Sequence, residues 1–169
     1  MLEKATQFVP EPSTQHALRR ALGHFATGVT IVTAPSEIGP LGFTANSFSS
    51  VSLSPPLVQW SLARASKRHD AFATATHFAI HILGADQTEL AARFATQGQA
   101  FDQVAWHEDA RNVPILDRCI ARLDCTLFKT YPAGDHSLIL GEVQNVAVSG
   151  GAGLIFDQGR YGRFAPSDG

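Results

Sequence analysis

Cysteine is nearly missing from this chain: two residues, Cys119 and Cys125, stand among 169. A disulfide-built scaffold is thereby excluded, and two thiols in a strand-like segment read as buried free thiols of a reducing, cytoplasmic compartment. Charge is scarce as well. Thirteen Lys and Arg face fifteen Asp and Glu, for a formal net charge of -2, and no long basic run marks a nucleic-acid binder. No stretch approaches the roughly 18 uninterrupted apolar residues of a membrane helix. The opening MLEKATQFVPEPS has neither the apolar centre of a signal peptide nor the arginines of a transit peptide. Nucleotide and hydrolase fingerprints are missing too. Gly151-Ala152-Gly153 lacks the third glycine of a dinucleotide-binding turn, so no Rossmann domain is expected. No Walker-type run or Gly-x-Ser-x-Gly elbow occurs, and His107-Glu108 is not followed by a second zinc-binding histidine. His77 and His81, placed on a strand, would stand ~13 Å apart at ~3.3 Å per residue, too far to share a metal. No metal site is expected.

What is present is an ordinary globular composition, 44% hydrophobic and 17% charged. A chain of this length buries roughly 70% of its unfolded surface around one core. One domain over residues 1–169 is therefore expected, with flexible tails at 1–12 and 165–169. Ala17, Leu18, Ala21, Leu22 and Phe25 share a helical face over residues 13–25, with Gly28 as the stop. The β-branched run Val29 to Thr33 predicts a strand. A second strand is expected from Gly42 through Phe48 towards Val51, broken at Pro55-Pro56, and a third from Leu57 to Leu62. Asp70 to Thr76 reads as a short helix and Phe78 to Leu83 as a strand. Asp86 to Phe94 reads as a helix capped by Asp86 with Glu89 three positions on. The pattern lapses between 97 and 117, where Trp106 is the large anchor. Strands at Cys119 to Tyr131 and Leu138 to Val148 flank a turn at Pro132 to His136, and Leu154 to Phe164 forms a last strand. Strands outnumber helices without regular alternation. The expected class is mainly β with flanking helices, a mostly antiparallel barrel.

Three constellations stand out. Residues 42–52 pack Thr44, Asn46, Ser47, Ser49, Ser50 and Ser52 into a strand-like run, as a ligand with many donors and acceptors requires and as a solvated edge strand also shows. Ser66-Lys67-Arg68-His69 sets a hydroxyl and two cations ahead of a helix start, which suits a phosphate as well as it suits a solvated loop. Gly134-Asp135-His136 lies in a turn, where a histidine either meets a ligand or faces water.

In order along the chain, Thr27 to Thr33, Gly42 to Phe48, Val51 to Leu57, Phe78 to Leu83, Gly134-Asp135-His136 and Gly159-Arg160-Tyr161-Gly162-Arg163 resemble the short-chain flavin reductases, the small components of two-component flavin monooxygenases. The resemblance covers nearly the whole chain. It implies a homodimeric FMN-binding split β-barrel that reduces FMN or FAD with NADH or NADPH and supplies a monooxygenase partner. Thr44, Ala45, Asn46, Ser47, Ser49, Ser50, Val51 and Ser52 would line the flavin, with Asn46 and Ser47 nearest the ring and ribityl chain. Ser66 and Lys67 would hold the phosphate. Many relatives carry Thr where this chain has Arg68, so Arg68 either adds a charge there or turns to solvent. His136 would orient the nicotinamide, with Tyr161 and Arg163 close to the cofactors. No acid or base is assigned. The reading from another class is a flavin- or haem-binding module on the same barrel, without turnover.

Overall fold

The computed structural model describes residues 5–166. The outermost parts of both expected tails lie outside the described residues. Residues 5–11 have no regular structure and are exposed. A 3-10 turn, Pro12–Thr14, leads into α1, Gln15–Gly23, and the Glu11 N–H donates to Thr14 Oγ1 at 2.8 Å. The helix stops at Gly23 with His24 as its cap, not at Gly28, which already lies in strand β1, Thr27–Gly28. No residue of α1 is buried.

Next come β2 (Thr30–Ser36), β3 (Gly39–Ala45), β4 (Ser49–Leu53), β5 (Pro56–Ala63), α2 (His69–Thr74), β6 (His77–Ile82) and α3 (Thr88–Thr96). Short strands β7 (Trp106–Glu108) and β8 (Pro114–Leu116) follow, then the long hairpin β9 (Ala121–Ala133) and β10 (His136–Val148), and finally β11 (Leu154–Asp157) and β12 (Arg160–Arg163). Among the described residues no helix is long and apolar enough to cross a membrane.

Seven strands form one antiparallel sheet in the order β3-β2-β6-β9-β10-β5-β4. Its two outermost strands, β3 and β4, are consecutive in the chain and joined only by Asn46-Ser47-Phe48. Flat, seven strands would hold them about 29 Å apart, whereas four Cα steps reach at most about 14 Å. The sheet therefore rolls into a barrel left unzipped along one seam, the mostly antiparallel barrel expected. Ser47 bridges that seam: its hydroxyl accepts the Ser61 N–H at 2.9 Å and donates to the Ser61 carbonyl at 3.2 Å.

The single strand expected from Gly42 to Val51 is thus two strands on opposite edges. Its polar middle is the crossing itself, where unpaired backbone stays near water. The last strand also divides, into β11 and β12, at a turn where Gln158 and Gly159 adopt positive φ. In α3 the N-cap is Gln87, one position after the expected Asp86, whose carboxylate pairs with Arg118 at 2.9 Å.

The barrel interior holds Val32, Val58, Trp60, Leu62, Phe78, Ile80 and Ile139, and Phe72 of α2 plugs it, edge-on to Trp60 at 5.4 Å. A second cluster fills the space between β2 and α3, where Phe94 meets Phe101 at 4.9 Å and Phe101 meets Trp106 at 5.0 Å. Trp106 therefore shares its anchoring with Phe101, and the 97–117 segment contains the β7–β8 pair. Both cysteines are free. Cys125 is buried and its thiol is pushed up to about 12 by desolvation, while Cys119 is half-buried.

Candidate active site

Strand alternation along β5 sends Val58, Trp60 and Leu62 into the barrel and Gln59, Ser61 and Ala63 to its outer face. Ser49 joins that face, since its hydroxyl accepts the Gln59 amide at 2.9 Å. Ser47 joins it through Ser61. On the other side β10 pairs Leu140, Leu138 and His136 with Gln59, Ser61 and Ala63. A strip of small hydroxyls thus runs along the seam and ends at His136. Strand β4 ends the sheet order and, among the described residues, pairs only with β5.

The β9–β10 hairpin turns over Gly134-Asp135. Gly134 sits at φ 64, the left-handed conformation such a two-residue loop demands and a side chain resists. Asp135 Oδ1 lies 2.7 Å from His136 Nδ1, and this hydrogen bond is the main reason the Asp135 carboxyl sits below its ordinary range. A carboxylate can only accept, so Nδ1–H donates and Nε2 is left for other partners. The Asp135 carbonyl accepts the Arg64 N–H at 2.9 Å, tying this turn to the loop that follows β5.

In that loop Ser66 Oγ accepts the Arg68 N–H at 3.2 Å, so its own proton is free to donate. Lys67 is exposed and has no ion pair among the described residues. Arg68 departs from the expectation: its guanidinium neither joins Ser66 and Lys67 nor swings into solvent. It donates to the carbonyls of Phe94 (2.8 Å), Gly42 (3.0 Å) and Ala95 (3.1 Å) and lies 5.1 Å above the Phe43 ring. Desolvation lowers its pKa from the ordinary value.

Two other expected site residues also face elsewhere. Thr44 donates its hydroxyl to the Ala91 carbonyl of α3 at 2.7 Å, and Ala45 is buried against the barrel core. Both precede the seam, where β3 packs against the rest of the fold. Ser50 and Val51 are exposed and Ser52 half-exposed, with the ladder between Ser50 and Ser52 bulged at Val51. Asn46 lines a cleft of about 1190 Å³ together with α1 and the β11–β12 hairpin. Tyr161 packs on Phe156 of that hairpin at 5.3 Å, desolvation raising its phenol pKa, and Arg163 is exposed on the same hairpin. Neither residue lies on the β4–β5–β10 strip.

Sequence reasoning passed over Gln59 and Ser61, although their alternation with Val58, Trp60 and Leu62 was a visible sign of a polar face. It also passed over the Asp70–His69–Ser137 chain, with Asp70 Oδ1 2.8 Å from His69 Nδ1 and Nε2 2.9 Å from Ser137 Oγ. No sequence signal marks it, because residues 69 and 137 meet only through the fold. Ser137 is 6% exposed, so this chain serves to pin α2 to β10.

A barrel open along one seam, with a hydroxyl-rich edge running into the loop that bears Ser66 and Lys67, offers small polar groups that can surround a ring and a phosphate. The chain belongs to the flavin reductase like domain family, which its residues 22–165 match. It is 50% identical over 158 residues to the FMN reductase (NADH) SmoA of Agrobacterium fabrum, covering 94% of this chain and 91% of that one. It is 43% identical to the reductase component of the flavin-dependent trigonelline monooxygenase of Acinetobacter baylyi, over 89% of this chain but only 48% of that longer protein. The NADH:FAD oxidoreductase SgcE6 of Streptomyces globisporus superimposes with a TM-score of 0.88 at 36% identity, covering 98% and 96% of the two chains. The same protein in complex with NAD and FAD fragments gives 0.86.

Proposed function

We propose that this protein transfers a hydride from NADH or NADPH to FMN or FAD and hands the reduced flavin to a monooxygenase component. The observation that carries the reading is the convergence, at one end of β5 and β10, of the seam hydroxyls, the loop bearing Ser66 and Lys67, and the His136 turn. The reductases it resembles include an NADH-dependent FMN reductase and the reductase component of a monooxygenase.

Flavin and nicotinamide supply the hydride chemistry themselves once their rings are stacked. This chain's residues bind, orient and shield. Ser47, Ser49, Ser50 and Ser52, with Asn46 at the crossing, give the ring edge and ribityl hydroxyls their donors and acceptors. Ser66 and Lys67 hold the phosphate, the hydroxyl as donor and the ammonium as counter-charge. His136, its Nδ1–H fixed on Asp135, presents Nε2 to the nicotinamide. As an edge strand, β4 would offer backbone N–H groups where the bound ring needs donors. Tyr161 and Arg163, on the β11–β12 hairpin that borders the Asn46 cleft, would meet the cofactors from that side and not along the strip.

One flavin reductase domain, working as a homodimer, accounts for the apolar side chains left uncovered: Leu53 is 94% exposed, Phe25 80% and Val148 75%. The free thiols Cys119 and Cys125 support a cytoplasmic setting. The test is nicotinamide oxidation by the purified protein under air, with FMN, FAD or no added flavin. Rapid flavin-dependent loss of nicotinamide absorbance is expected. Flavin binding with no turnover for NADH or NADPH would replace the reductase with a binding module.

A further inference from the structure

The loop of residues 64–67 is held at three points. At its start the Arg64 N–H donates to the Asp135 carbonyl at 2.9 Å, and past its end His69 meets Ser137 at 2.9 Å. Between these, Arg68 reaches across to Gly42 on β3 and to Phe94 and Ala95 in the last turn of α3, whose carbonyls have lost their intrahelical partners. A planar guanidinium with five donors can span three carbonyls while its Cζ stays 5.1 Å from the centre of the Phe43 ring, whereas a lysine ammonium, a compact point charge, cannot do both. The backbone beside it is shaped to admit this side chain: a Cβ at Gly98 would come within 2.7 Å of Arg68 Cδ and 2.8 Å of Leu41 Cδ1.

We infer that Arg68 is a positioning residue for the flavin phosphate: by bridging the Gly42, Phe94 and Ala95 carbonyls it holds residues 64–67 in the conformation that presents Ser66 and Lys67. Its charge is turned away from them; its geometry is what acts. The inference rests on Ser66 and Lys67 being the phosphate site, so the experiment separates the two.

Purified wild-type and variant proteins are titrated with FMN and with riboflavin, which lacks the phosphate, and binding is followed by flavin fluorescence quenching, independently of turnover. Wild type is expected to prefer FMN. Arg68→Met and Arg68→Lys are both expected to shrink that preference by about tenfold, because neither preserves the three-carbonyl bridge. Should Arg68→Met fail to fold, Gly98→Ala, which crowds the side chain without deleting it, is expected to shift the preference in the same direction. Full preference in Arg68→Lys would make charge, not geometry, the cause and overturn the inference. Full preference in Arg68→Met, alongside its loss in Lys67→Ala, would also overturn it while leaving the phosphate site intact. Equal binding of FMN and riboflavin by wild type would remove the phosphate site, and the inference with it.

Discussion

His136 and His81 show how one residue type takes opposite roles from its surroundings. His136 is half-exposed at a turn, with one nitrogen fixed by Asp135 and the other without a partner among the described residues. Replacing it with alanine is expected to raise the KM for NADH or NADPH by about tenfold, the worth of one well-placed hydrogen bond, with a much smaller change in flavin affinity. Steady-state kinetics beside a flavin titration checks this, and equal loss of both would deny His136 its nicotinamide role. His81 is fully buried: Nδ1 faces the Ile31 carbonyl at 3.1 Å and Nε2 accepts the Leu116 N–H at 3.1 Å, stapling β6 to β2 and β8. Desolvation lowers its pKa from 6.5 to about 4. Between those values the unfolded chain binds a proton that the folded chain refuses, so stability is full above 6.5 and falls as the pH drops. The loss is on the order of 3 kcal/mol across the window. Urea unfolding across that range is expected to show a slope that His81→Gln flattens; an unchanged slope would assign the acid sensitivity to other groups.

Among the elements, those whose faces are set by local alternation were readable in advance. β2, β5, β6 and the β9–β10 hairpin lie within a few residues of where β-branched and apolar periodicity sets them. The seam was not readable. Residues 42–52 look continuous because Thr and Ser suit a strand, and only the rolled sheet makes 46–48 a crossing. Thr44 shows the same blindness: its hydroxyl looked like a ligand group, and a helix 47 residues later supplies its acceptor. Arg68 was legible as a cation and not as a clamp, since its three carbonyl partners come from β3 and α3. The seam bridge itself is open to test. Ser47→Ala is expected to speed amide exchange at Ser61 by about tenfold, the loss of roughly one hydrogen bond, and to weaken flavin binding. Unchanged exchange at Ser61 would mean that the crossing is held by something other than the Ser47 hydroxyl.

For the whole molecule, the amphipathic helix α1 has no buried residue in the isolated chain, and large apolar side chains stand in water at Leu22, Phe25, Leu53, Val146 and Val148. A second copy covering them is the expected arrangement. Light scattering during gel filtration is expected to return twice the chain mass of 18.1 kDa, with Phe25→Asp shifting it towards the monomer; a monomeric wild type would require another occupant for that surface. Taken alone, the sequence determined the mainly β class, most of the strands, and the three segments that bear the candidate site, because periodicity, turn chemistry and polar runs are local properties of a chain. The tertiary structure decided which hydroxyls line the β4–β5 strip and which are tied elsewhere, that Arg68 binds carbonyls of β3 and α3, and that a three-residue crossing spans the open seam. Those outcomes depend on partners far apart in the chain, whose meeting is set by the rolling of the sheet and not by any stretch of sequence.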